Sequence, residues 1–360
     1  MAALLFANHV TAPPSPTGER VWLPSMLALR TPFAIAIFFA HVEILHVYPV
    51  RGAMTAVVGV TFFFVLSGFV LAWGFRPGTR PTDFFANRVG RIVPVYLAVM
   101  LFAVAVHVYV NGSLGRLGAT LANLTMTQAW LPESVTDTYD GASWSLCCEM
   151  FLYLLLPLLV LYLARRSTTA GLLACGPLLA IPSALALSVR SWDSYLYTFP
   201  PARVGEFMLG VTLGIATRRG LRVRVPRLWA LALVLTTAAI IEIWQPPLLV
   251  SGAVTAPAFA LMVLAFAGAD LAGGDRPLRP PAAQYAGELT FAFYLVHMPM
   301  LQALTHRFHE DRLFLVPLGF ALSLGLAVAV NLLVERPGRR LVSACWHRLR
   351  AQRSASPACP

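Results

Sequence analysis

The chain alternates long apolar runs with short polar connections, and the runs have the length that a helix needs to cross a bilayer. About ten occur, near residues 26–47, 54–75, 91–110, 145–164, 169–188, 201–217, 228–244, 249–268, 284–304 and 312–334. Each approaches the roughly 20 residues that cover a hydrocarbon core of about 30 Å. The pattern predicts an all-α, polytopic integral membrane protein of about ten transmembrane helices. Residues 1–25, with Pro13, Pro14, Pro16 and Gly18, are expected to be a disordered cytoplasmic tail without the features of a signal peptide. Residues 26–342 form the membrane domain, and 343–360 a basic, mobile cytoplasmic tail.

Composition agrees. With 58% hydrophobic residues, 12% charged residues and a mean hydropathy of +0.70, the chain has too few polar side chains to cover a soluble globule. All 27 basic residues are Arg, and their placement is uneven. Only Arg51, Arg116, Arg190, Arg307 and Arg312 fall on one side, Arg30 and Arg203 lie within spans, and the rest share the other side with both ends of the chain. The positive-inside rule then puts both termini in the cytoplasm of a multi-pass plasma-membrane protein. The net charge of +11 is thereby a topological signal, with no implication of nucleic-acid binding, although the Arg218-Arg219 and Arg339-Arg340 blocks can touch anionic lipid. The five cysteines make no metal-ligand pattern with histidine and read as small core residues.

Against this apolar background, Arg30 and His41 need a reason, because lipid penalises ionisable groups. Eleven helical residues make about three turns, so the two side chains share one face roughly 16 Å apart. Arg88 and Arg91, three apart at the start of the third span, share another face. Glu149 lies inside the fourth span, one turn before Tyr153, where an unpaired carboxylate would be costly. Arg203 and Glu206 are spaced to neutralise each other on one helix, or to meet a substrate.

These residues sit in recurring elements. Arg30 followed after ten residues by His41, the run Phe62-Phe63-Phe64-Val65-Leu66-Ser67-Gly68-Phe69, and the segment from Arg88 through Arg91 and Pro94 to Tyr96 come first. Trp144-Ser145-Leu146 with Glu149 and Tyr153 follows, then Tyr294-Leu295-Val296-His297, and last Glu335-Arg336-Pro337. In this order, over roughly 22–342, the chain resembles the membrane acyltransferase-3 family. Leu23-Pro24-Ser25 and Gln128-Ala129-Trp130 are most similar to its actinomycete branch, which includes macrolide O-acyltransferases.

The resemblance implies transfer of an acyl group, often acetyl, from acyl-CoA to a hydroxyl of a glycan or secondary metabolite, with no permanently bound cofactor. A hydroxyl is a poor nucleophile at neutral pH, and imidazole suits the task of taking its proton, so His41 is the expected base. Arg30, Arg88 and Arg91 would form a basic entrance for the CoA phosphates, with pantetheine reaching inward to present the thioester near His41. Ser67 would line the acyl channel. Glu149 is placed as the group that orients His41 or binds the acceptor, with a purely structural hydrogen bond equally open. Trp144, Ser145, Tyr153, Arg203, Glu206 and His297 are placed with substrate contacts; an interfacial anchor for Trp144 and a structural role for His297 remain open. A polytopic transporter without acyl transfer is the alternative reading.

Overall fold

The computed structural model describes residues 11–14, 20–50, 52, 54–75, 80–273, 278–308 and 312–355. Lipid offers the backbone no hydrogen-bond partner, so the apolar runs satisfy their own amides as helices. The long helices are α1 (Arg30–Ile44), α2 (Gly59–Gly74), α3 (Pro81–Asn111), α4 (Trp144–Ala164), α5 (Thr168–Ser188), α6 (Val204–Arg218), α7 (Arg227–Trp244), α8 (Leu248–Leu271), α9 (Pro281–Arg307), α10 (Leu315–Val330) and α11 (Arg336–Ala355). A five-residue π-helical turn, Asn331–Glu335, joins the last two into one rod. Among the described residues, eight helical stretches are long and apolar enough to cross a membrane. The two other expected runs are helical as well. α6 has 15 residues and is buried along almost all of them, and α9 interrupts its apolar run with Gln284, Glu288 and His297.

The ends of the helices are tied as an alternating order requires. On the arginine-rich side the Ser25 amide and hydroxyl both donate to Asp270 at 3.0 Å, and Trp346 Nε1 donates to Asp83 at 2.8 Å. On the other side the Tyr197 hydroxyl donates to the Val57 carbonyl at 3.0 Å, and Asp193 accepts from the Leu248 amide at 2.9 Å. Two apolar cores lie between these layers. One is built around α2, α6 and α8, and the other around α1, α3 and α9. Within the first, α2 and α6 approach so closely that a Cβ at Gly210 would collide with the Val65 carbonyl, and one at Gly68 with that of Phe207. Such small-residue seams let membrane helices gain contact where lipid supplies no hydrophobic drive.

Both expected tails are more ordered than their sequences suggest, as far as they are described. Residues 11–14 and 20–22 pair as antiparallel strands β1 (Thr11–Pro14) and β2 (Arg20–Trp22), the one strand pair among the described residues. Leu23 and Ser25 are fully buried, because the Asp270 contacts and the Gln284 bond to the Pro24 carbonyl hold this segment against the bundle. At the other end α11 continues helical to Ala355, docked on α3 through Asp83.

Candidate active site

A cavity of about 250 Å³ opens among α1, α2, α3, α4 and α9. Seven of the residues singled out from the sequence line it: Arg30, Ser67, Arg88, Arg91, Ser145, Glu149 and Tyr153. Helix α1 starts at Arg30, with Pro32 in its first turn, where a missing amide donor costs nothing; the guanidinium therefore enters the cavity from the helix terminus. Arg88 and Arg91 reach it from the first turns of α3, and the Arg88 guanidinium lies 5.9 Å from the Phe84 ring centroid. Three guanidiniums thus face one carboxylate. Glu149 accepts a hydrogen bond of 3.0 Å from the Tyr153 hydroxyl on the next turn of α4. The Nε atoms of Arg30 and Arg88 are buried with no hydrogen-bond partner, an arrangement that a multiply charged anion in the cavity would satisfy. The rest of the wall is apolar, including Phe63, Phe64 and Leu71.

His41 lies three turns beyond Arg30 on α1 and is half-buried. Its Nδ1 is 2.6 Å from Nε2 of His297, which is fully buried on α9, and the ring centroids are 4.8 Å apart. The Nδ1 of His297 is in turn 3.1 Å from the Phe293 carbonyl. A carbonyl only accepts, so His297 Nδ1 carries the proton and its Nε2 offers a lone pair. That lone pair accepts from His41 Nδ1–H, which leaves the lone pair on His41 Nε2. Two bonds therefore set the tautomer of the expected base.

Several expected placements change. The group bonded to His41 is His297, while Glu149 is engaged with Tyr153 and faces the arginines. His297 is enclosed, packed on Phe38 and Phe293, and has no exposed surface for a substrate. Arg203 and Glu206 are also sealed in the interior, 0% and 1% exposed, with a 3.3 Å ion pair braced by the Thr61 hydroxyl. The Arg203 guanidinium sits over the rings of Tyr197 at 4.7 Å, Phe64 at 5.1 Å and Trp144 at 5.8 Å. This aromatic cage fills the space that a substrate would need, and Trp144 belongs to it, away from the cavity wall.

Tyr294, which opens the element that ends at His297, has a place in the site that its motif alone does not reveal. Its ring lines the cavity and lies 5.8 Å from the His297 ring, so it separates the arginines from the histidines. Its hydroxyl donates to the Ala142 carbonyl at 2.9 Å and accepts from Ser145 Oγ at 3.0 Å. The cavity wall as it stands ends at Tyr294 and Leu295, without His41.

Comparison with known proteins decides the family. A model described as "Acyltransferase domain", that of acyltransferase family 3, matches residues 24–336. The chain belongs to the acyltransferase-3 family. This acyltransferase is 30% identical over 312 residues to Acyltransferase MdmB of Streptomyces mycarofaciens, covering 78% of the chain and 80% of that protein. It is also 27% identical over 175 residues to Nose resistant to fluoxetine protein 6 of Caenorhabditis elegans, covering 41% of the chain and 21% of that protein. No solved structure matches this membrane acyltransferase.

Proposed function

We propose that the chain transfers a short acyl group from acyl-CoA to a hydroxyl of a carbohydrate or macrolide-type secondary metabolite, at the plasma membrane with both termini in the cytoplasm. The observation that carries this reading is the His41–His297 pair, with its tautomers set by the Phe293 carbonyl, lying behind Tyr294 where that ring closes an arginine-lined cavity. The phosphates of CoA fit Arg30, Arg88 and Arg91, whose forked donors suit phosphate oxygens. The narrower, apolar part of the cavity suits pantetheine and a short acyl chain. Tyr294 swings aside as the thioester advances toward His41.

His41 Nε2 takes the proton from the acceptor hydroxyl as the oxygen attacks the thioester carbonyl. The carbon–sulfur bond then breaks, and the imidazolium returns the proton to the departing CoA sulfur. The electron count closes without a metal or a redox partner. As His41 gains charge, its Nδ1–H bond to His297 becomes charge-assisted and strengthens in the transition state, where it raises the rate.

The test is acceptor-dependent CoA release by purified protein supplied with acetyl-CoA. His41→Ala is expected to abolish release while retaining acetyl-CoA binding. Full activity in that variant would remove the proposed base, and transport of an unmodified solute with no CoA release would favour a transporter.

A further inference from the structure

The structure holds a second, larger pocket of about 1150 Å³ at the opposite end of the bundle from the arginine-rich side. The inner cavity, near 250 Å³, is below the usual 300–1,000 Å³ range of ligand sites, so an acyl-CoA arm and a bulky acceptor cannot share it. The larger pocket lies beyond the histidine pair on two separate helices, by about one turn on α1 and about two on α9. On α1, Arg30 lines the inner cavity, His41 makes the pair, and Leu45 just past the helix end lines the outer pocket. At 100° per residue these three positions fall within about 60° of one another. On α9, Tyr294 lines the inner cavity, His297 makes the pair, and Thr305 lines the outer pocket, within about 80°. One face of each helix therefore runs from the first space, past the base, to the second.

The walls of the outer pocket are two-sided in chemistry. His107, Asn111, Gln302 and Thr305 supply hydrogen-bonding groups, while Val106, Val110, Leu131 and Val135 supply apolar surface. This composition suits a large molecule with a hydroxylated edge and an apolar body.

Resting on the acyl-transfer reading above, the geometry points to this outer pocket as the acceptor site, which takes an amphipathic polyhydroxylated molecule of the glycosylated-macrolide kind from the side opposite acyl-CoA. His41 then receives the two substrates from opposite ends of one line. Gln302, Thr305 and Val135 set which acceptor is bound, and the arginine cavity sets the donor.

The experiment measures equilibrium binding of radiolabelled erythromycin, as an available glycosylated macrolide, and of acetyl-CoA to the purified full-length protein in nanodiscs. Binding needs no turnover, so failure of the chemistry and failure of this site are read separately. Gln302→Leu combined with Thr305→Val is expected to weaken erythromycin binding at least tenfold with acetyl-CoA affinity kept within twofold. Val135→Trp, which narrows the pocket from a different element, is expected to do the same. Absence of erythromycin binding to the wild type overturns the assignment of ligand class. Unchanged binding in both variants, or loss of binding on Ser145→Trp in the inner cavity with the outer variants unaffected, overturns the location. Loss of acetyl-CoA binding in the wild type would count instead against the acyl-transfer reading.

Discussion

Removal of the His297 imidazole is the sharpest test of the chemistry, because that ring touches His41 and lies off the wall of the donor cavity. In His297→Leu the His41 Nδ1–H loses its acceptor, and the tautomer that leaves Nε2 free is no longer enforced. A hydrogen bond to a group that becomes charged contributes about 1.5–3 kcal/mol. The contribution here is realised as His41 takes the proton, so it falls on kcat. At about 1.4 kcal/mol per tenfold, the expected loss is about 10- to 150-fold in kcat, with the KM for acyl-CoA within about twofold of wild type. His297→Gln, whose amide oxygen can accept from His41, is expected to recover part of the loss. Steady-state assay of acceptor-dependent CoA release, with thermal denaturation of each variant as a folding control, supplies the measurement. A folded His297→Leu enzyme that keeps kcat within twofold of wild type would rule out a role for this bond in the chemical step. Equal loss of kcat in His297→Leu and His297→Gln would do the same, because packing alone would then account for the residue.

Three other outcomes follow from the same contacts. Replacing Arg88 and Arg91 together by Ala is expected to raise the KM for acetyl-CoA at least tenfold and to leave that for acetyl-pantetheine, which lacks the nucleotide phosphates, nearly unchanged; equal effects on both donors would place the arginines with topology. Arg203→Met is expected to destabilise by about 3–5 kcal/mol by stranding the buried Glu206 carboxylate, and the double variant with Glu206→Leu to regain most of that in denaturation assays, whereas equal destabilisation by both would refute a merely structural pair. Burial pushes the Asp140 carboxyl, which caps the turn before α4, up to about 8, while the unfolded chain releases this proton near 3.9, so between these values the folded state holds more protons and stability falls as pH rises. Asp140→Asn should flatten that slope, with a gain in melting temperature over wild type that grows from about pH 4 and levels off above about pH 8, and parallel curves for the two proteins would contradict the assignment.

The sequence carried most of the architecture and half of the site. Apolar run lengths located all ten expected runs as helices, eight of the described stretches being long and apolar enough to cross a membrane, because lipid leaves the backbone few alternatives, and Arg30 and His41 share α1, although only Arg30 lines the cavity. What it could not carry is contact between distant runs. The separation of His41 from His297 is 256 residues, and nothing in local periodicity pairs two helices so far apart. Two lone intramembrane histidines, each in its own recognisable element, are the available signal, whereas Glu149 stands out because a carboxylate inside the fourth span needs a partner. The Arg203–Glu206 spacing was legible as an ion pair, but its aromatic cage depends on Tyr197, Phe64 and Trp144, which arrive from three other segments. Order in the chain ends was invisible for the same reason, since Ser25 is held by Asp270 and Trp346 by Asp83.

The choice of a second histidine over a carboxylate follows from where the charges of this fold are allowed. Within the bundle, buried carboxylates are met by cations: Glu149 faces three guanidiniums in the arginine cavity, Glu206 pairs with Arg203, and Glu335 pairs with Arg339. A carboxylate beside His41 would add a fixed negative charge between Phe38, Phe293 and Tyr294, with no cation to balance it until the proton transfer occurs. The sequence Phe293 carbonyl, His297, His41 needs no charge at rest, yet still orients the base and still offers a polarisable acceptor when the imidazolium forms. Its cost is a weaker pull on the proton than a carboxylate would give, which in the proposed reaction suits a base that hands that proton on to the CoA sulfur within the same turnover. The resting pair is stable in apolar surroundings because it is uncharged, and in the proposed reaction the charge it acquires is confined to the moment of transfer.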